Sequence, residues 1–162
     1  MTEVRGRRSA IGLISDTHGL VRREVFFALE GVDLILHAGD VGGSDVLVEL
    51  GTIAPIQAVY GNTDGPGDPN LRSRLLIEVD GLSIHVSHGH EVGGTPTPEK
   101  LLARYSADVI VFGHTHRPLV ERSGSRLVVN PGAAGPRRFD LKPSVARMIM
   151  KDGRADAEIV WL

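Results

Sequence analysis

Apolar residues along this chain come in short runs, rich in β-branched side chains and bounded by Gly, Asp or Pro. The runs cover residues 11–14, 34–36, 56–59, 75–79, 82–86, 109–112, 127–129, 145–150 and 157–161. Runs of that length and punctuation predict strands. Between the early runs the apolar spacing becomes helical. "LVRREVFFALEG" (20–31) and "SDVLVELG" (44–51) each end on a Gly suited to the position just past a helix. "TPEKLLARYS" (97–106) predicts a third helix, with Thr97 as N-cap, Pro98 in the first helical position and Glu99 in the first turn. Strands alternating with helices make the first half of the chain a parallel α/β unit.

The pattern then changes. Asp-Gly in "EVDGLSIHV", Ser-Gly-Ser in "VERSGSRLVV" and Asp-Gly in "MKDGRADAEIV" are hairpin signals, so antiparallel strands are expected in the later chain. The expected architecture is two sheets packed face to face with helices outside. With 162 residues and neither an internal repeat nor a linker, the chain reads as one domain spanning 1–162, its residues 1–9 forming a flexible N-terminal segment. The least regular stretch is "GNTDGPGDPNLRSR" (61–74), a long loop of the kind that usually serves function.

Composition narrows the chemistry. A hydrophobic content of 41%, a charged content of 23% and 20 glycines describe an ordinary globular protein with many tight turns. A net charge of −2, with the pairs Arg7-Arg8, Arg22-Arg23 and Arg137-Arg138 scattered along the chain, provides no nucleic-acid footprint. The apolar "IGLI" near the N-terminus is too short for a signal or membrane segment, which leaves a cytoplasmic location as the expectation. There is no cysteine, so a metal would be held by His, Asp, Glu or Asn.

Such residues stand where the apolar runs stop. Asp16-Thr17-His18 follow the first run, Gly39-Asp40 the second and Gly61-Asn62 the third; His88-Gly89-His90 and Gly113-His114-Thr115-His116 follow later ones. Strands of a parallel sheet end on one edge, which would gather these residues in space. Residues i and i+2 of an extended chain project the same way, so Asp16 and His18 are expected to face one ion. Glycines before Asp40, Asn62 and His114 allow close backbone approach. With His90 set aside, two Asp, one Asn and four His remain, more than one four-coordinate ion can use. Two ions sharing a carboxylate account for the surplus, and Asp40, in the middle of the set, is the natural bridge. His37 reads as packed within its strand, and His85, of opposite parity to His88, as pointing away from it.

The order "SDTHG", "GD", "GN", "SHGH", "GHTH" resembles the calcineurin-like metallophosphoesterase superfamily, and most of all its small prokaryotic phosphodiesterases. The resemblance runs from residue 11 to about 132 and includes "VNPG" at 129–132. It implies an αββα sandwich. It also implies that Asp16, His18 and His116 hold one metal, that Asn62, His88 and His114 hold the other, and that Asp40 bridges. The cofactors implied are two divalent ions, Mn²⁺ foremost with Fe, Ni or Zn as alternatives. Such a pair lowers the pKa of a bridging water, which attacks a phosphodiester in line while Asn62 helps absorb charge on the phosphoryl oxygens. Ligand histidines must be neutral to bind, so occupancy is expected to fall in acid.

There is one departure from the family pattern. Many superfamily phosphatases have "GNH", whose His protonates the leaving group; here the phrase is "GNTD", and threonine is too weak an acid for that task. Thr63 is therefore expected to contact substrate, and His90 to contact phosphate or supply the proton. The implied partner is a small phosphodiester, without nucleic acid or membrane, and a homo-oligomer is compatible with the sequence. The competing reading is an interaction scaffold on the same fold, as in a retromer subunit thought to act chiefly that way; intact ligands at all seven positions favour the enzyme.

Overall fold

Strands and helices form in the expected places, and the computed structural model describes them over residues 8–65, 67–138 and 140–162. In chain order they are β1 (Ser9–Ile14), α1 (Arg23–Ala28), β2 (Leu34–His37), α2 (Ser44–Gly51), β3 (Ile56–Ala58), β4 (Leu75–Val79) and β5 (Leu82–Val86). After a 3₁₀ turn at His90–Val92 come α3 (Pro98–Arg104), β6 (Val109–Val111), β7 (Leu119–Ser123), β8 (Arg126–Asn130), β9 (Ser144–Lys151) and β10 (Arg154–Trp161). Most of the expected N-terminal segment lies outside the described residues. Its last residue, Ser9, already belongs to β1 and pairs with Met150.

The strands form two mixed sheets, ordered β10-β9-β1-β2-β3 and β4-β5-β6-β8-β7. In the first, β1, β2 and β3 run parallel; in the second, β5, β6 and β8 do. Alternation along each strand sorts side chains between layers. Ile11 and Leu13 of β1, with Val109 and Val111 of β6, meet between the sheets. Ile14 and Ile35 face outward onto Val25, Leu29, Val46 and Leu50 from α1 and α2. Ile110, Phe112 and Val128 face the other way onto Leu101 of α3. The result is the expected αββα sandwich.

Two hairpins use the expected Asp-Gly turns. Asp80 and Gly81 (φ 49° and 81°), then Asp152 and Gly153 (φ 53° and 73°), all take the positive φ that a two-residue type I′ loop requires. Elsewhere the structure corrects the reading. β7 was not among the apolar runs because this edge strand is mostly exposed and its sequence, LVERS, mostly polar; only the following Ser-Gly-Ser turn signalled it. The first helix is shorter than its apolar stripe. Gly51 does not act as a left-handed stop: it is the last helical residue of α2, and Thr52 caps the end in the right-handed region (φ −74°). The long loop after β3 returns to the sheet, where Tyr60 N–H donates to Arg72 O (2.9 Å) and Arg72 N–H to Ala58 O (3.2 Å). No helix among the described residues is long and apolar enough to cross a membrane.

Candidate metal centre

The residues expected at the site come from loops at the carboxyl ends of parallel strands in both sheets. They do not share one sheet edge, as the sequence reading had it. β1, β2 and β3 lead to Asp16, Asp40 and Asn62; β5 and β6, across the sandwich, lead to His88 and His114. The loops after β1 and β2 stay in register beyond the sheet: Asp16 N–H donates to Gly39 O (3.0 Å), His18 N–H to Asp40 O (3.0 Å) and Gly19 N–H to Val41 O (2.9 Å).

The backbone there is not extended, which corrects the expectation for Asp16 and His18. Asp16 (φ 53°), His18 (45°), Asp40 (54°), His114 (71°) and His116 (63°) all lie in the left-handed region. Among the described residues the other non-glycine cases are the hairpin residues Asp80 and Asp152. Left-handed kinks at alternate residues, rather than strand alternation, turn both donors of each pair inward. Each kink costs about 1 kcal/mol or more, strain of the kind concentrated at functional sites. The preceding glycines act as expected. A Cβ at Gly61 would overlap Asp40 Oδ1, and one at Gly113 would overlap Ser15 Oγ.

Each donor is fixed by one atom and free at another. Asp16 is fully buried; its Oδ2 accepts from Ser15 Oγ (2.6 Å) and His114 N–H (3.1 Å), whereas Oδ1 has no hydrogen-bond partner. Oδ1 lies 3.2 Å from His116 Nε2 and 3.9 Å from the Nε2 atoms of His18 and His88. Asp40 Oδ1 accepts from Thr63 N–H (2.9 Å), and its Oδ2 stands between His88 Nε2 (3.3 Å) and His18 Nε2 (3.7 Å). His88 Nδ1 is 2.7 Å from Ala38 O, which can only accept, so that nitrogen carries a proton and Nε2 is turned inward, where once deprotonated it presents a lone pair to a metal. Around Nε2 stand Asn62 Oδ1 (3.0 Å) and the Asp40 and Asp16 oxygens, while Asn62 Oδ1 is also 3.1 Å from His114 Nδ1. These oxygens converge on Nε2, and a positive charge among them, a proton on His88 or a metal ion in its place, is what they would hold.

Electrostatics point the same way. Burial alone would raise the Asp16 and Asp40 carboxyls. For Asp16, the His116 imidazole 3.2 Å from Oδ1, the charge of His88 and the hydrogen bond from Ser15 outweigh burial; for Asp40, hydrogen bonding and charge from His88, then Thr63, do so, and both carboxyls sit below the usual range. Burial pulls His88 down, but the Asp40 hydrogen bond and the charges of Asp16 and Asp40 leave it raised. The cluster attracts positive charge. Two sets of donors have atoms mutually within 4.8 Å: Asp16, His18 and His116, and Asp16, Asp40 and His88. His18 Nε2, like Asp16 Oδ1, is buried without a partner.

His90 stands at the margin, its ring 5.4 Å from that of His88 and 6.4 Å from that of His114, with Nδ1 buried and unpartnered. Thr63 meets the cluster through its backbone N–H. His37 and His85 stay outside, as expected. His37, buried at the end of β2, has Nε2 3.0 Å from Thr17 Oγ1, and His85 has Nε2 3.0 Å from Ser87 Oγ and stacks on Tyr105.

Three supporting residues were missed in the sequence. Asp64 accepts from the N–H groups of Val41 (3.0 Å), Gly42 (3.1 Å) and Gly61 (2.9 Å), tying two site loops together. Asn130, in "VNPG", donates from Nδ2 to Gly113 O and Thr115 Oγ1 (both 3.0 Å) and so holds the "GHTH" loop. Ser15 orients Asp16. All three lie inside or beside the quoted motifs; their position there was the available signal.

With this arrangement of strands and donors, residues 10–153 match the calcineurin-like phosphoesterase superfamily domain. The chain belongs to this superfamily. A relative within it, a probable metallophosphoesterase of Methanothermobacter thermautotrophicus, is 38% identical over 93% of this chain and 91% of its own length. A phosphodiesterase of Methanocaldococcus jannaschii is 31% identical over 75% of this chain and 82% of its own. Among solved structures, Vacuolar Protein Sorting 29 from Cryptosporidium parvum superposes with a TM-score of 0.80 at 21% identity, covering 96% of this chain and 98% of that one, a likeness of fold alone. Membership in the calcineurin-like superfamily makes the chain a phosphoesterase homologue with candidate metal ligands in place.

Proposed function

We propose that this protein is a dinuclear-metal-dependent phosphodiesterase acting on a small substrate. The observation that carries the reading is the buried convergence of lone-pair donors, with Asp16 Oδ1 and His18 Nε2 left without hydrogen-bond partners. Asp16, His18 and His116 would hold one divalent ion and Asn62, His88 and His114 a second, with Asp40 Oδ2 shared. Mn²⁺ leads among the metals suited to these donors, with Fe, Ni and Zn as alternatives. When bound, such a pair supplies a water ionised near neutral pH and positive charge for the phosphoryl oxygens.

The chain's own residues supply the rest. Asn62, its Oδ1 turned to His88 and His114, keeps an amide N–H₂ to donate to a phosphoryl oxygen. His90, its ring 5.4 Å from that of His88, would contact phosphate or protonate a departing alkoxide. Thr63 offers a hydroxyl to substrate but no acid of useful strength. With so little acid assistance, the rate should depend steeply on leaving-group acidity, and aryl diesters should react faster than alkyl phosphates. The test is turnover of bis(p-nitrophenyl) phosphate with added Mn²⁺, together with elemental analysis. The reading expects hydrolysis and two metal equivalents per chain; full activity at one equivalent would overturn the dinuclear assignment, and no turnover would favour the scaffold.

A further inference from the structure

Beside the donor cluster lies a groove of about 560 Å³, bounded on one side by the loop at residues 94–98 and on the other by Phe112, residues 114–115 and residues 117–119. It shares His114 with the site, so it opens beside the proposed metal ligands. Its size falls within the roughly 300–1,000 Å³ of small-molecule sites. Half-buried Pro118 and Leu119 give it an apolar wall, backed by buried Pro96 and Phe112; no carboxylate lines it, and Arg117, exposed, is its one permanent cation. Among the described residues Arg117 takes part in no ion pair.

The groove is held in shape by the same packing that holds the site. Lys100 Nζ donates to Gly93 O (3.2 Å) and Thr95 O (2.9 Å), and Thr97 Oγ1 caps α3 by accepting from Lys100 N–H (3.3 Å). Pro96 packs onto the turn between His88 and His90, where a Cβ on Gly89 would come within 3.1 Å of its ring. A wall fixed in advance binds without an ordering cost. His90 does not line the groove, and where His90 serves the leaving oxygen the groove is left to the other arm of the diester.

Resting on the phosphodiesterase reading, we propose that this groove selects the substrate by its retained ester arm, taking an aromatic ring against Pro118 and Leu119 and an anionic substituent at Arg117. Apolar contact along the wall favours a ring over a methyl group, and a guanidinium in no ion pair among the described residues pairs with a carboxylate on that ring.

The test compares methyl, benzyl and 4-carboxybenzyl p-nitrophenyl phosphates, which share one leaving group and differ only in the retained arm. In the Mn²⁺-loaded protein kcat/KM should rise about tenfold from methyl to benzyl, and again to 4-carboxybenzyl. Thr95→Trp, which fills the groove from an exposed rim position, should bring the benzyl-to-methyl ratio near one. Arg117→Ala should remove the carboxylate increment. A wild-type ratio of one, or a ratio that Thr95→Trp leaves unchanged at equal metal content, overturns the proposal. Absence of any turnover, including of the methyl diester, indicts the phosphodiesterase reading instead. The groove is then tested by binding of benzyl methylphosphonate to the metal-loaded protein: weaker binding by Thr95→Trp supports it, and equal binding overturns it.

Discussion

At the scale of single residues, the site depends on atoms that have one permitted role. Asp40 offers Oδ1 to Thr63 N–H and leaves Oδ2 between His88 and His18. Replacing it with Ala should lower turnover by at least about a thousandfold and reduce bound metal, with the far-UV circular dichroism unchanged; a variant keeping a tenth of the wild-type rate would show that Oδ2 is not shared. Glycine at 61 is equally constrained, because a Cβ there would overlap Asp40 Oδ1. Gly61→Ala should cost about 1–3 kcal/mol through this overpacking and most of the activity. Gly65→Ala, four residues on and with nothing within 4 Å of its added Cβ, should stay within about 0.5 kcal/mol of wild type. Urea midpoints and turnover of the two variants check both. The Gly-Asp and Gly-Asn phrases were legible in the sequence because they record this local crowding.

At the scale of elements, the loops matter more than the strands that present them. Asp64 accepts from three backbone N–H groups in the loops after β2 and β3. Asp64→Ala should destabilise the protein by about 2 kcal/mol and weaken metal binding by about 10–100-fold, while Asp64→Asn retains part of both. Unfolding midpoints and a metal titration would measure the two effects, and unchanged metal affinity would reduce Asp64 to a purely structural tie. The sequence marked this residue only by the missing His of "GNTD", because an Asp two residues past a metal-competent Asn carries no local sign of what it will accept. Hairpins were easier to read. The Asp-Gly turns require positive φ in their own two residues, so no distant partner is needed to recognise them. β7 escaped notice for the opposite reason: an edge strand exposed on both faces has no alternation to show.

At the scale of the molecule, two buried histidines outside the donor cluster tie stability to pH. Burial lowers His37 and His85 to about 4 from an ordinary 6.5. The unfolded chain takes up a proton at each below 6.5, whereas the folded chain does so only near 4. Their stabilising contribution is therefore complete above 6.5 and lost as pH falls through that window. The upper limit is about 3 kcal/mol for His37 and less for His85, which is less deeply buried and more screened by solvent. In chelator-treated protein the urea midpoint of wild type should fall between pH 7 and pH 4.5 more than that of His85→Gln; parallel curves would show that His85 is not buried neutral. What the sequence determined by itself is what short range controls: strand and turn identity, the αββα order, and the kind and order of the donors, since each is written in neighbouring residues. What only the tertiary structure decided needs partners far along the chain. The tautomer of His88 is set by Ala38 O, 50 residues away, and the free oxygen of Asp16 is left by a bond from His114 N–H, 98 residues away. The left-handed kinks that aim Asp16, His18, Asp40, His114 and His116 inward persist only because packed loops over-determine them. Such strain cannot be read from residue type, because an isolated Asp or His has no reason to adopt it.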